Sequence, residues 1–232
     1  MEKSQICENI EKVKGKIEST CKKIGRDSSG VMLVAVSKTK PVSYIQEALK
    51  CGQVEFGENR MQELEDKIPE FDGKKISWHM IGNLQTNKIK LIADKVNWVH
   101  SIEKLKYLKE FEKRSNGNKI NALIQVNISG EKQKGGVEPE DLAQLLKSAT
   151  NFESVTVCGL MGMATFTDDP EDVRHEFKLL KNLFDEHQKF NSGSVNLREL
   201  SMGMSNDMEV AIEEGATMVR VGSEIFGARN YD

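Results

Sequence analysis

Eight short apolar runs punctuate this 232-residue chain, and a helix-like stretch follows each of them. They cover residues 31–36, 54–56, 76–81, 96–100, 120–128, 155–161, 197–202 and 217–221. Short runs rich in β-branched residues, without polar alternation, suit strands covered on both faces. The stretches between them space apolar residues three and four apart. Leu105, Leu108 and Phe111 are one such set, and Val173, Phe177, Leu180 and Phe184 another. That spacing draws one face of a helix. Strands alternating with helices mean parallel βαβ units. Eight such units close into a (β/α)₈ TIM barrel, typically of about 250 residues. A doubly wound open sheet is the rival, but the barrel uses the whole chain with short connections. We therefore expect a single domain over residues 1–232.

An extra helix precedes the first strand. Ile6, Ile10, Val13, Ile17, Cys21 and Ile24 form one stripe on a charged segment, and Gly25 stops it. Residues 1–30 read as an N-terminal helix and loop packed on the barrel.

Bulk chemistry narrows the function classes. Net charge is −3, which argues against a nucleic-acid partner held by bulk electrostatics. No apolar stretch nears the roughly 20 residues that span a bilayer. The N-terminus lacks an apolar signal core, so cytoplasmic residence is expected. The cysteines Cys7, Cys21, Cys51 and Cys158 form no C-x-x-C pair. All four are expected to be reduced, mostly as small core residues. The histidines lack metal-site spacing, so no metal is expected.

In a barrel the site is built from the loops after the strands. Those loops carry Lys38, Glu58 and Asn59, His79 to Asn83, Asn127 to Gly136, Met163 and Ala164, Ser201 to Ser205, and Arg220 to Ser223. Ser205 is placed to cap a helix that ends at Gly215. Two loops suit an anion: Met202-Gly-Met-Ser205 and Gly222-Ser223 each set a glycine and a hydroxyl before a helix. They follow the seventh and eighth strands, where barrels commonly hold phosphate. Lys38 ends the first strand. A lysine amine facing a phosphate cradle invites pyridoxal phosphate, which needs an amine for its aldehyde and a cradle for its phosphate.

These residues carry a resemblance that runs nearly end to end. Val34-Ala-Val-Ser-Lys-Thr-Lys-Pro41, Phe56-Gly-Glu-Asn-Arg60 and Trp78-His-Met-Ile-Gly-Asn-Leu-Gln-Thr-Asn-Lys88 resemble segments of the pyridoxal phosphate homeostasis proteins. Gly159-Leu-Met-Gly-Met163, Leu200-Ser-Met-Gly-Met-Ser-Asn-Asp207 and Val219-Arg-Val-Gly-Ser223 are similar to further segments. The resemblance implies a single barrel like the N-terminal domain of alanine racemase. It implies pyridoxal phosphate (PLP) held by Lys38 as a Schiff base. It also implies a phosphate on Ser205 and the Gly222-Ser223 backbone, and Arg220 facing the pyridine nitrogen. Asn59 and His79 are expected to line the pocket. Met161, Met163, Met202 and Met204 are candidates for an apolar wall.

Arginine only donates hydrogen bonds and keeps its charge. Arg220 beside the ring nitrogen therefore opposes protonation there and leaves the ring a poor electron sink. A carrier that buffers PLP or delivers it to PLP-dependent apo-enzymes is the expected function. An amino-acid racemase is the alternative. Alanine racemase draws part of its acid–base apparatus from a second domain, whereas this chain ends at Asp232 and offers only Tyr44, Tyr107 and Tyr231. A barrel for another phosphorylated metabolite would leave Lys38 without a covalent role. Monomer is the expected state.

Overall fold

The computed structural model describes residues 4–131 and 133–227. Eight parallel strands succeed one another around a closed barrel. They are β1 (Met32–Val36), β2 (Glu55–Glu58), β3 (Ser77–Met80), β4 (Trp98–Ile102), β5 (Ile120–Val126), β6 (Val155–Gly162), β7 (Val195–Ser201) and β8 (Met218–Val221). The last strand pairs with the first, setting Val34 opposite Arg220. Closure removes the sheet edges that would otherwise invite another chain to pair. It also brings the first and last loops side by side, which matters for the site.

The helices are α1 (Gln5–Lys23), α2 (Val42–Lys50), α3 (Met61–Lys67), α4 (Leu105–Arg114), α5 (Leu142–Ser148), α6 (Arg174–His187), α7 (Met208–Glu213) and α8 (Ser223–Phe226). One expected helix is missing. Between β3 and β4 the chain forms only a 3₁₀ run, Thr86–Leu91. Leu84, Ile89, Ile92 and Ala93 are all buried along this segment.

Helix α1 starts at Ser4, whose hydroxyl accepts the Cys7 N–H. It buries Ile6, Ile10, Val13, Ile17 and Cys21 against α2, α7 and α8. Burying each such side chain contributes about 1.5–3 kcal/mol. Asn9 Nδ2 donates to the Ile225 carbonyl at 3.0 Å, fixing the helix across the seam where the barrel closes.

The cysteine expectation needs correction. Cys7 and Cys51 are paired as a disulfide that joins α1 to the end of α2. Their Cα atoms lie 5.6 Å apart, inside the range a disulfide spans. The two are 44 positions apart in sequence, so no local motif announces the pairing. Cys21 and Cys158 are free and buried.

Two apolar clusters result from strand alternation. The larger lies between barrel and helices. A smaller one, Trp98, Leu123, Cys158, Met161 and Met218, fills the barrel itself. Among the described residues no helix is long and apolar enough to cross a membrane.

Candidate functional site

Alternation along β1 turns Val36 to the barrel interior and Ala35 to the outer core. Ser37 is buried on the outer side, and Lys38 then reaches the mouth of the barrel, half-buried. There it lines a cavity of about 680 Å³. That is within the usual size of a small-molecule site, about 300–1,000 Å³.

The Lys38 loop is held from behind. Lys67 Nζ, buried on α3, donates to the Ser37 carbonyl at 2.9 Å and to Glu58 and Glu63 carboxylate oxygens at 2.8 and 2.7 Å. The Ser37 hydroxyl donates to Glu58 at 2.6 Å, and the Thr39 N–H donates to Glu63 at 2.6 Å. Thr39 sits at φ +63°, a region that costs energy for a β-branched residue. The Glu63 bond offsets part of that cost. Burial pushes the Glu58 carboxyl up to about 7, against the opposing charge and hydrogen bond of Lys67.

The two anion-type loops meet. Gly203 adopts φ +91°, and a Cβ there would lie 2.6 Å from the Ala211 Cβ, so only glycine lets the turn close against α7. After β8, Ser223 Oγ donates to Ser205 Oγ at 3.1 Å. Both hydroxyls, with Met204 and Gly222, line the same cavity as Lys38. Ser205 does not cap α7 as expected. Asp207 takes the N-cap position, because residues 205–207 make a turn first. The Asp207 carboxylate accepts the Met204 N–H at 2.6 Å and so fixes that turn. Burial holds this carboxyl above its ordinary range.

Arg220 forms part of the cavity floor and is 5% exposed. Its Nη1 donates to Ser201 Oγ at 2.6 Å and its Nη2 to the Gly162 carbonyl at 3.0 Å. Burial lowers its pKa to about 10, with Asp207 pulling the other way. The guanidinium therefore stays charged at neutral pH.

Of the residues singled out from sequence, Lys38, Asn59, Met204, Ser205, Arg220, Gly222 and Ser223 share this cavity. His79 does not. It is fully buried in the barrel below, bound to Glu55 and His100. Ile81, two residues further along the same side of the strand, reaches the cavity in its place. Met163 lines the wall as expected, whereas Met161 packs inside the barrel and Met202 in the outer core. The residues not foreseen are Val36 and the rim residues Thr165, Phe166 and Thr167, whereas Ile81 lies within the 79–83 loop that sequence places at the site. Phe166 is 85% exposed. Tyr231 lies outside the described residues.

The cavity thus sets an amine at one side, two hydroxyls beside a glycine backbone at another, and a fixed cation on the floor. That donor set fits a small aromatic aldehyde carrying a phosphate.

Known proteins share this architecture. Residues 9–230 match the family described as alanine racemase, N-terminal domain. A pyridoxal phosphate homeostasis protein of Aquifex aeolicus is 43% identical over 97% of this chain and 99% of its own length. The structure of PipY from Synechococcus elongatus with PLP bound matches at a TM-score of 0.78 and 31% identity, covering 91% of this chain and 100% of that one. Alanine racemase from Corynebacterium glutamicum shares the fold at a TM-score of 0.72 and 13% identity, covering 97% of this chain and 60% of that one. By sequence along nearly its whole length, the chain belongs to the pyridoxal phosphate homeostasis protein family.

Proposed function

We propose that this protein binds pyridoxal phosphate in the cavity at the mouth of the barrel and serves PLP homeostasis as a carrier. One observation carries the reading: Lys38, Arg220 and the Ser205–Ser223 hydroxyl pair line a single cavity. Its relatives' names and the PLP-bound PipY structure support the same ligand.

Each residue then has a role. Lys38 takes the aldehyde through a reversible Schiff base, and the Glu58–Lys67–Glu63 clamp holds its loop. Ser205, Ser223 and the backbone at Gly222 bind the phosphate, with Met204 beside them. Arg220 donates to the ring nitrogen and disfavours its protonation. Asn59 closes one wall. When bound, PLP supplies an electron-accepting ring, but a ring nitrogen facing an arginine accepts poorly, so we read a carrier rather than a racemase. Its recipients are PLP-dependent apo-enzymes, and it acts as a cytoplasmic monomer.

The test is an absorption spectrum of the purified protein with PLP, before and after borohydride, followed by peptide mapping. About one pyridoxyl group per chain on Lys38 is expected, because Lys38 follows β1 at the barrel mouth and lines the cavity that Ser205 and Ser223 also line; Lys40, which lines it too, is the competing amine. A label confined to another lysine, such as Lys40, overturns the assignment. Robust amino-acid racemase turnover that is lost in Lys38→Ala overturns the carrier reading.

A further inference from the structure

His79, displaced from the cavity, belongs to a chain of hydrogen bonds through the barrel interior. Arg220 Nη1 lies 2.6 Å from Ser201 Oγ, and Ser201 Oγ lies 2.9 Å from His100 Nδ1. His100 Nε2 lies 2.9 Å from His79 Nδ1, and His79 Nε2 lies 2.7 Å from Glu55 Oε2. The members come from β8, β7, β4, β3 and β2. Arg220 faces the cofactor cavity, whereas Glu55 lines a separate hollow beneath α1 at the opposite end of the barrel.

With both buried imidazoles neutral, the chemistry of the ends sets the direction of every bond. An arginine only donates and a carboxylate only accepts. Arg220 therefore donates to Ser201, whose hydroxyl donates to His100 Nδ1. His100 Nε2–H donates to His79 Nδ1, and His79 Nε2–H donates to Glu55. Both imidazoles are then neutral Nε2–H tautomers. Burial agrees: it pushes both histidines below their ordinary range, His100 the further. Glu55 stays ionised, because the hydrogen bonds from His79 and Ser77 outweigh its burial. Reversing the bonds between Ser201 and His79 requires an extra proton on His79, and burial disfavours that imidazolium. Trp98 stacks on His79 at 5.7 Å between ring centres and restrains its rotation.

Among the described residues no carboxylate pairs directly with Arg220, whose two bonds go to neutral oxygens. A long side chain so held needs its acceptors fixed. We propose that Ser201, His100, His79 and Glu55 are positioning residues that fix Arg220 against the ring nitrogen of the bound cofactor. The inference rests on the reading of Arg220 given above.

The test uses the full chain loaded with PLP labelled with ¹⁵N in the ring, and reads the nitrogen resonance together with affinity. Ser201→Ala and Glu55→Ala should both move the resonance and weaken PLP by about threefold to tenfold, tenfold being about 1.4 kcal/mol. Glu55→Gln should remain close to wild type, because its amide oxygen still accepts from His79. Glu55 is three hydrogen bonds away from Ser201, so an effect of Glu55→Ala on the ring nitrogen has to pass through the row. If Ser201→Ala does not fold, the Glu55 pair decides alone. Lower thermal stability with an unmoved resonance in both alanine variants overturns the proposal. Arg220→Gln separates the two levels. If it moves the resonance and the alanine variants do not, only the row is wrong. If it also leaves the resonance unmoved, the reading of Arg220 and this inference fall together.

Discussion

Replacing Glu58 by glutamine should change how stability depends on pH. Glu58 is fully buried, and its carboxyl is raised from the ordinary 4.5 to about 7. It binds its proton more tightly in the folded chain than in the unfolded one. Its favourable contribution is therefore complete below about 4.5 and is lost as pH rises through about 7. The interval corresponds to roughly 3 kcal/mol at about 1.4 kcal/mol per pH unit. Most of it, about 2–3 kcal/mol, falls between pH ~5 and pH ~8. Glutamine cannot ionise, and its amide oxygen can still accept from the Ser37 hydroxyl and Lys67. Urea unfolding of wild type and Glu58→Gln across that range, with the slope against urea held in check, reads the difference. Wild type should lose about 2–3 kcal/mol more than the variant on going from pH ~5 to pH ~8. Parallel curves, or a wild type that gains on the variant as pH rises, refute the reasoning. Parallel curves mean that the Lys67 charge balances burial and Glu58 is an ordinary carboxylate; a gain means that the charge outweighs burial. Lys67→Met removes the close cation and should cost about 3–5 kcal/mol at pH ~8, where Glu58 would be left charged and buried, and less at pH ~5.

Two further outcomes probe the cavity. Ser205→Ala removes one hydrogen bond to an anion, worth roughly 1.5–3 kcal/mol. PLP affinity should fall by about tenfold, toward the lower end because the Ser223 hydroxyl 3.1 Å away remains. Unphosphorylated pyridoxal should respond little, and equal losses for both ligands in a titration count against the phosphate site. Gly82→Ala puts a Cβ into the Asn59 carbonyl. Overpacking backbone against backbone should cost about 1–3 kcal/mol and weaken PLP through the displaced Asn59 wall. Unchanged stability together with unchanged affinity would show that the wall is pliable.

The parts of the site that sequence revealed are the parts that single strands deliver. Lys38 stands one residue beyond an apolar run, after Ser37, and its position at the barrel mouth follows from where that run stops. Gly222 and Ser223 are read the same way, one strand end at a time. Ring closure then does the assembly: β8 pairs with β1, so the last loop lands beside the first. What stayed hidden depends on a choice between neighbours on one strand. His79 and Ile81 lie on the same side of the third strand, and only the height of the strand in the barrel decides which of them meets the cavity. The Ser205 cap failed for a similar reason, since either Ser205 or Asp207 can begin a helix and the preceding turn selects Asp207. Buried polar groups were the least legible. Glu55 reads as a charged strand residue, and His100 as the end of a run. Their partners lie 24 and 101 positions away, at His79 and Ser201 respectively. Yet a buried polar residue must find a partner, because leaving it unpaired costs about 1–3 kcal/mol. Inside a barrel that requirement can be met only from other strands. A histidine, a serine and an arginine on inward positions of different strands therefore constrain one another as strongly as the apolar pattern constrains the fold. In this chain they converge beneath the cavity, where Arg220 ends the row and the ligand site begins.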